Sequence, residues 1–192
     1  EGTLTGATTV TGGTLTSTGG TFAAVSVGDA GTFSLGAGTT DADVTNDGGI
    51  ITIASSGILD GTIISADTGV ANFSVGSITN SGTVTGAVTM SEGTLDNETG
   101  ATISGQTNLA GGIINAEGGA FTNELIATSG TLNLNANTAA AITNNGLTTL
   151  SIVSPIVVTG DFTQQSGTTT NAGTVDGALT VTGGTLTNAG TL

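Results

Sequence analysis

The side chains best suited to chemistry in this sequence are carboxylates, and three of them lie close together. Asp41, Asp43 and Asp47 fall within the stretch TTDADVTNDGG, with Asn46 beside them. Oxygen ligands of this kind suit a hard cation such as Ca²⁺. The spacing departs from the EF-hand pattern, and the GGxGxDx nonapeptide of calcium β-rolls is absent. The stretch therefore predicts either a weak Ca²⁺ site or a solvated acidic loop.

The composition excludes most other reactive sites. The 192 residues include no Lys, Arg, His or Cys. A Ser-His-Asp triad, a Cys nucleophile, a Lys Schiff base and an ordinary zinc site therefore cannot be built. Paired carboxylates of the glycosidase kind remain, but sugar sites normally add aromatic platforms and basic groups, and this chain has five Phe as its only aromatic residues. We therefore expect no enzymatic activity and no cofactor beyond the Ca²⁺ considered above.

Charge and hydropathy limit the partners. With a formal net charge of −14 and no cationic side chain, the chain repels nucleic acid and anionic lipid. The apolar residues, 36% of the total, are largely β-branched or Leu, which favours a β fold over disorder. No apolar run reaches about 18 residues, so we expect no direct membrane insertion of this segment. The absence of cysteine suits a chain that crosses an envelope unfolded.

Internal repeats predict the fold. The stretches GTLTGATTVTGGTLT, GTVTGAVTMSEGTLD and GTVDGALTVTGGTLT, which start at Gly2, Gly82 and Gly173, align without gaps. A second motif, of the form GTLTNAG, recurs at intervals that indicate a period of about 18 residues. Alternating triplets between small polar residues indicate three short strands in each period. Such a repeat buries its apolar side chains only by stacking, so we predict an all-β fold, a parallel β-helix (β-solenoid) of about ten coils.

One interval breaks the period. The motif glycines Gly31 and Gly57 are separated by clearly more than one period, which we interpret as one coil with an inserted loop at residues 41–49. We expect residues 1–192 to form a single β-solenoid domain, either a segment of a longer repeat array or a subunit that stacks end to end.

Superposing the repeats predicts which side chains face inward. Three inward rows and one corner of stacked amides are expected. The rows are Ile78, Leu95, Ile114, Leu132 and Leu186; Val84, Ile103, Phe121 and Val175; and Val10, Met90, Leu109 and Val181, with Asn80, Asn97, Asn171 and Asn188 at the corner.

The recurring GTLTNAGTV-x-GALTVTGGTL pattern resembles the passenger domains of autotransporter (type V secretion) adhesins and, more loosely, filamentous-haemagglutinin-like β-helices. The resemblance covers essentially the whole chain. It implies a right-handed triangular β-helix at the cell surface outside a Gram-negative bacterium, where roles in adhesion or biofilm formation are common. The sequence lacks the Arg-Gly-Asp and Gly-Asp-Ser-Gly motifs of particular members.

We therefore expect a non-enzymatic, extracellular structural and adhesive β-solenoid whose partner is a cell-surface or matrix ligand. The alternative is a filament subunit that self-associates head to tail. An ice-binding or polysaccharide-acting β-helix ranks below both. Thr-x-Thr triplets such as Thr14/Thr16 and Thr185/Thr187 are similar to those of ice-binding solenoids, but we expect Asp96, Asn115 and Asn133 to interrupt one Thr row and Ala120 another.

Overall fold

Short alternating runs of β-branched and small polar residues form strands along the whole chain. The computed structural model describes residues 2–65, 76–138 and 140–192, and in these ranges the regular secondary structure is β-strand. Neighbouring strands pair in parallel, about 18 residues apart, and the chain winds into a solenoid of about ten coils. The predicted parallel β-solenoid is confirmed.

The strands are numbered in chain order. The first half of the chain holds β1 (Gly2–Leu4), β2 (Thr8–Ser17), β3 (Gly20–Phe22), β4 (Val25–Leu35), β5 (Gly38–Asp41), β6 (Val44–Asp47), β7 (Ile50–Ile53), β8 (Gly57–Asp60), β9 (Ile63–Ser65), β10 (Ser77–Asn80), β11 (Thr83–Val84), β12 (Val88–Met90) and β13 (Thr94–Glu98). The second half holds β14 (Thr102–Ile103), β15 (Thr107–Leu109), β16 (Ile113–Glu117), β17 (Ala120–Phe121), β18 (Leu125–Ala127), β19 (Thr131–Leu134), β20 (Ile142–Ile152), β21 (Val157–Val158), β22 (Phe162–Asn171), β23 (Thr174–Val175), β24 (Leu179–Val181) and β25 (Thr185–Asn188).

Each coil has three faces, which we call A, B and C in chain order. Face A contains β1, β3, β5, β8, β11, β14 and β17 in one sheet and the β21–β23 pair in another. Face B contains β6, β9, β12, β15, β18 and β24, and face C contains β7, β10, β13, β16, β19 and β25. The long strands β2, β4, β20 and β22 run through the corner between faces B and C, which joins these two faces into a single 16-stranded sheet.

The strand register confirms the three predicted inward rows, except that Val181, in the last coil of the face B row, is 48% exposed. Ile78, Leu95, Ile114 and Leu132 are successive register partners on face C. Val84, Ile103 and Phe121 are partners on face A, and Met90 pairs with Leu109 on face B. These side chains are at most 2% exposed. Their stacking between coils builds one continuous apolar core along the solenoid.

Glycine forms the corner between faces B and C. Gly93, Gly112 and Gly130 occupy equivalent positions just before successive face C strands, with φ values of 84°, 76° and 91°. A Cβ atom on Gly112 would lie 2.5 Å from the carbonyl oxygen of Gly93 in the coil below. The corner therefore needs glycine both for its left-handed backbone and for the close approach of the next coil.

The predicted insertion at residues 41–49 is wrong. Residues 38–41 and 44–47 are strands β5 and β6, each in regular register with the coils on both sides. The motif at Gly57 resembles the motif at Gly31, which precedes face C. Gly57, however, begins a strand of face A and pairs with Gly38, so the two glycines are not equivalent. The next face C strand begins at Ile50, the register partner of Thr32, so this coil has the ordinary length.

The long coil is the following one. Ile51 pairs with Ile78, and the stretch of chain between these two partners is longer than that between the other neighbouring partners on face C. The extra residues lie between the end of β9 at Ser65 and the start of β10 at Ser77. Of this stretch, residues 66–75 are outside the described residues.

Candidate functional site

The three carboxylates predicted as Ca²⁺ ligands lie on different parts of one coil. Asp41 ends β5 on face A, Asp43 follows at the corner, and Asp47 ends β6 on face B. The alternation that buries Ala42 and Val44 in the core points Asp41 and Asp43 outward. Among residues 2–65, 76–138 and 140–192, no group of three or more acidic side chains is arranged to hold a metal ion. The Ca²⁺ site at Asp41, Asp43 and Asp47 stays a prediction.

Asp43 has a structural role within the acidic stretch. Its Oδ1 accepts hydrogen bonds from the backbone N–H of Thr62, at 3.0 Å, and from the Thr62 hydroxyl, at 2.8 Å. These two bonds, the backbone one foremost, lower the pKa of the Asp43 carboxyl below its ordinary value. Asp43 thus ties its own corner to the corner of the next coil.

Neighbouring coils also place like charges side by side. Asp41 is the register partner of Asp60, and Glu98 is the register partner of Glu117. Directly opposite like charges destabilise a sheet unless something relieves them. The hydroxyl of Thr85 donates to Asp60 and that of Ser81 donates to Glu98. A hydroxyl donor from an adjacent coil therefore stabilises one carboxylate of each pair in a chain with no cationic side chain.

Face C carries the most regular surface of the solenoid. Its strands show two outward positions per coil, separated by one inward residue, and these positions form two rows along the axis. The first row, in register order, is Thr14, Thr32, Ile50, Ser77, Thr94, Ile113, Thr131, Thr149, Thr168 and Thr185. The second row is Thr16, Ser34, Thr52, Thr79, Asp96, Asn115, Asn133, Ser151, Thr170 and Thr187.

The predicted interruption of the second row is confirmed and is confined to three central coils. Asn115 Nδ2 donates to Asp96 Oδ1 at 2.7 Å, and Asn133 Nδ2 donates to Asn115 Oδ1 at 2.8 Å. The other predicted interruption, Ala120, lies on face A as the partner of Thr102. Face C therefore presents hydroxyls on both sides of a central amide ladder.

The last three coils of face C form an uninterrupted hydroxyl patch. We define the hydroxyl patch as the six outward side chains Thr149, Ser151, Thr168, Thr170, Thr185 and Thr187. Ser151 is half-buried and the other five side chains are exposed. Within the described part of the chain, none of these six hydroxyls has a hydrogen bond to another protein group.

A buried polar cluster beneath the hydroxyl patch was missed at the sequence level. Asn144, Gln164 and Thr169 are fully buried. Asn144 Nδ2 donates to Gln164 Oε1 and to Thr169 Oγ1, at 3.2 Å in both cases. Asn144 and Gln164 stand in the inward row that holds Met90, Leu109 and Val181 elsewhere. The repeat contained the information needed to find this cluster. Aligning the coil of Val181 with the two coils before it places Gln164 and Asn144 in an otherwise apolar row.

Faces A and B display narrower outward surfaces. Strands β12, β15, β18 and β24 on face B are three residues long and present a single outward residue each. On face A, β11, β14, β17, β21 and β23 are two residues long. On face C two outward residues recur in every coil, whereas on faces A and B two outward residues occur in a few strands, such as β5, β6 and β8.

No pocket opens among the described residues. The same part of the chain contains no helix long and apolar enough to cross a membrane. Comparison of the chain with protein-family models, with curated proteins and with solved structures found no match.

Proposed function

We propose that this chain is a non-enzymatic, extracellular structural and adhesive module, a segment of a cell-surface adhesin passenger or stalk of the autotransporter kind. The observation that carries this proposal is the outward surface of face C. Its two rows of short side chains repeat over ten coils at about 4.8 Å per coil. A surface of this kind offers many equivalent weak contacts along its length, and multivalent contact raises the strength of attachment without a deep binding site.

The core supports the mechanical part of this function. Neighbouring coils pair in parallel through the sheet of faces B and C and, on face A, from β1 to β17 and again between β21 and β23, and the inward rows fill the space between the faces. Because the coils differ little in length, apart from the one between Ile51 and Ile78, the apolar core is continuous from the first coils to the last. Ten coils at about 4.8 Å make a rod of roughly 50 Å, and an array of such segments would extend farther from a cell.

The composition supports an extracellular setting. With no Lys or Arg, trypsin has no cleavage site even in the unfolded chain. With no Cys, unfolded passage through an oxidising compartment forms no disulfide cross-links. The resemblance of the repeats to autotransporter passengers adds the bacterial cell surface as the location and a cell-surface or matrix ligand as the partner.

Surface display tests the adhesive role. The chain would be fused to an outer-membrane carrier in a non-adherent bacterium, and attachment to host cells, matrix-coated plates and plastic would be measured with biofilm mass. We expect attachment above that of the empty carrier, and a loss of attachment when Thr52 and Thr131 on face C, whose register partners are uncharged, are both replaced by Glu. The matched control replaces Thr89 and Thr180 on face B by Glu, where the register partners are also uncharged. Attachment equal to the empty carrier on every surface would contradict the proposal.

Self-association head to tail is the second candidate function. Leu4 in the first coil is 49% exposed, and Val181 and Leu192 in the last coils are 48% and 52% exposed. Thr191 bridges to Thr174 on face A, the face that also contains Thr3. A second copy of the isolated chain therefore presents its first face A strand at the place where the next coil would follow, and docking would cover apolar side chains and pair open strand edges.

A further inference from the structure

We propose that the hydroxyl patch on face C, formed by Thr149, Ser151, Thr168, Thr170, Thr185 and Thr187, binds the surface of ice. This activity goes beyond adhesion to cells or matrix, and it commits to one ligand: a crystal lattice of water. The argument depends on the spacing of the hydroxyls, their freedom from other partners, their stiffness and the lack of charge around them.

The spacing along the axis matches that of hydrogen-bonded water. In a tetrahedral arrangement, two O–H···O bonds of about 2.8 Å that share a water molecule span about 4.6 Å between their outer oxygen atoms. Equivalent hydroxyls in neighbouring coils are about 4.8 Å apart, which is the spacing of paired strands. Thr168 and Thr185 are register partners in the first row, and Thr170 and Thr187 are partners in the second, so the spacing fits one bridging water molecule between the hydroxyls of each pair. Each row of hydroxyls would therefore order a line of water molecules whose spacing is close to that of tetrahedral, hydrogen-bonded water.

The two rows extend the match to a second dimension. Outward residues two apart on a strand are separated by about 6.6 Å, so the patch is a net of about 4.8 by 6.6 Å. Parallel in-register pairing generates each coil from the last by translation, and the buried Thr169 between the outward Thr168 and Thr170 holds the strand in place. Most strands of faces A and B have a single outward residue, so most of these faces presents one row of side chains instead of a net.

The hydroxyls are available and preorganised. None of the six has a hydrogen bond to a protein group in the described part of the chain. Five of them belong to Thr, whose branched Cβ restricts rotation about χ1. Ordering water on such side chains costs little side-chain entropy, because Thr has few rotamers to lose compared with long polar residues. Each Thr also carries a methyl group on the same Cβ, which adds apolar surface to the exposed side chain.

The chemistry of the patch favours a neutral lattice over a sugar or protein ligand. No carboxylate lies in the two rows of these coils, and the nearest acidic residues along the chain, Asp161 and Asp176, lie outside face C. The patch contains no aromatic side chain on which a sugar ring would stack. It also lacks the aromatic and Arg anchors that dominate protein interfaces. What it offers is a repeating, in-register array of hydroxyl and methyl groups.

Partition into ice tests this proposal directly. The 192-residue chain would be placed around a slowly growing ice hemisphere, and the fraction incorporated would be compared with that of serum albumin, alongside measurement of thermal hysteresis. The variant Thr170→Tyr inserts a bulky ring into the patch. The matched control, Thr163→Tyr, changes an outward Thr on face B of the same strand, β22. We expect incorporation and hysteresis for the unchanged chain, loss of most of both in Thr170→Tyr, and little change in Thr163→Tyr.

Two outcomes would overturn the proposal. One is exclusion of the unchanged chain from ice to the same extent as albumin. The other is an equal loss of ice incorporation in Thr170→Tyr and Thr163→Tyr when both keep the circular dichroism spectrum and melting temperature of the parent. If Thr170→Tyr does not fold, Thr187→Tyr in the last coil makes the same test. Surface-display adhesion is measured without ice, so adhesion and ice binding succeed or fail separately.

Discussion

Asn80 and Asn97 form a buried amide pair at the last inward position of face C. Asn80 Nδ2 donates to Asn97 Oδ1 at 2.8 Å, and Asn80 Oδ1 accepts from the backbone N–H of Gly82 at 3.1 Å. Asn171 repeats the arrangement with Asn188 and Gly173. The amide thus links two coils and also satisfies a backbone donor at the turn toward face A.

Replacing a buried amide should cost more than replacing an outward one. Asn80→Leu leaves Gly82 N–H and Asn97 Oδ1 without partners, and we expect a loss of about 1–3 kcal/mol for each group in the free energy of unfolding. The control is Asn115→Leu in the outward ladder, where water replaces the lost bonds and we expect less than about 1 kcal/mol. Urea titrations measure both. A larger loss at Asn115 than at Asn80 would contradict the assignment of inward and outward sides.

Asp43 makes a pH-dependent contribution. Its folded-state pKa is lowered by the two bonds from Thr62. Such a group contributes stability above its unfolded-state pKa, and the contribution is lost as the pH falls through the lower folded-state pKa. We expect Thr62→Val to raise the pKa of Asp43 toward its ordinary value, which NMR titration of the carboxyl carbon would measure. The stability difference between the unchanged chain and Thr62→Val should narrow toward low pH, and a difference that widens there would contradict this account.

At the residue scale, the sequence was a good guide to partners within the repeat and a poor guide to contacts outside it. The Asn80 corner was predicted because the amides recur at the same phase as glycine. The hydrogen bonds from Thr62 to Asp43 were not predicted, because the residue types at the corner between faces A and B differ from coil to coil. Asp41, Asp43 and Asp47 are close in sequence, and they lie on face A, at the corner and on face B of one coil.

The alternation of side chains along a strand determines which residues face the core and which face solvent. Leu95 is 1% exposed in β13 and stacks between Ile78 and Ile114, whereas Thr94 beside it points outward. We expect Leu95→Ala to lower the free energy of unfolding by about 2–4 kcal/mol through the cavity left between coils. Thr94→Ala, its control on the same strand, should change it by less than about 0.5 kcal/mol. Equal losses in denaturant titrations would show that the period-2 assignment of β13 is wrong.

The corner between faces B and C is the second element that the sequence dictates. Gly112 has a φ of 76°, and a Cβ there would lie 2.5 Å from the Gly93 carbonyl oxygen. We expect Gly112→Ala to lower the free energy of unfolding by about 1–2 kcal/mol for the left-handed backbone alone, with a further loss from the contact. Gly12→Ala, where no atom lies within 4 Å of the new Cβ, is the control. A neutral Gly112→Ala would mean that the corner relaxes freely.

The prediction of coil boundaries succeeded where the motif occurs on one face only, and it failed where a similar motif occurs on two faces. The GTLTNAG form marks the start of face C at Gly93 and Gly184, and the rows built on it were confirmed. Gly57 opens face A with a similar run, GILD, so the long interval was assigned to residues 41–49. Glycine followed by alternating apolar residues fits either corner, and only the pairing between coils distinguishes them.

At the scale of the whole molecule, charge opposes the stacking of copies. Each chain carries a net charge of −14 with no positive side chain, and this repulsion reaches about 8–10 Å at moderate ionic strength. We expect the isolated chain to assemble into fibres when salt, millimolar Ca²⁺ or acid reduces the repulsion. Light scattering and negative-stain images at pH 7 and pH 4 measure this. A chain that stays monomeric throughout, or forms only amorphous aggregate, would exclude the filament function and leave the adhesin segment.

The parallel register between coils also determines how the rod responds to force. Among the described strands, each coil pairs with the coils directly before and after it along the axis. A pull on the two ends therefore loads the outermost ladder first, and the coils peel off one after another instead of giving way together. Each released coil of about 18 residues adds about 60 Å of slack. Under flow, such a rod would behave as a tether that lengthens in steps, dissipating work at every coil while the remaining coils stay folded.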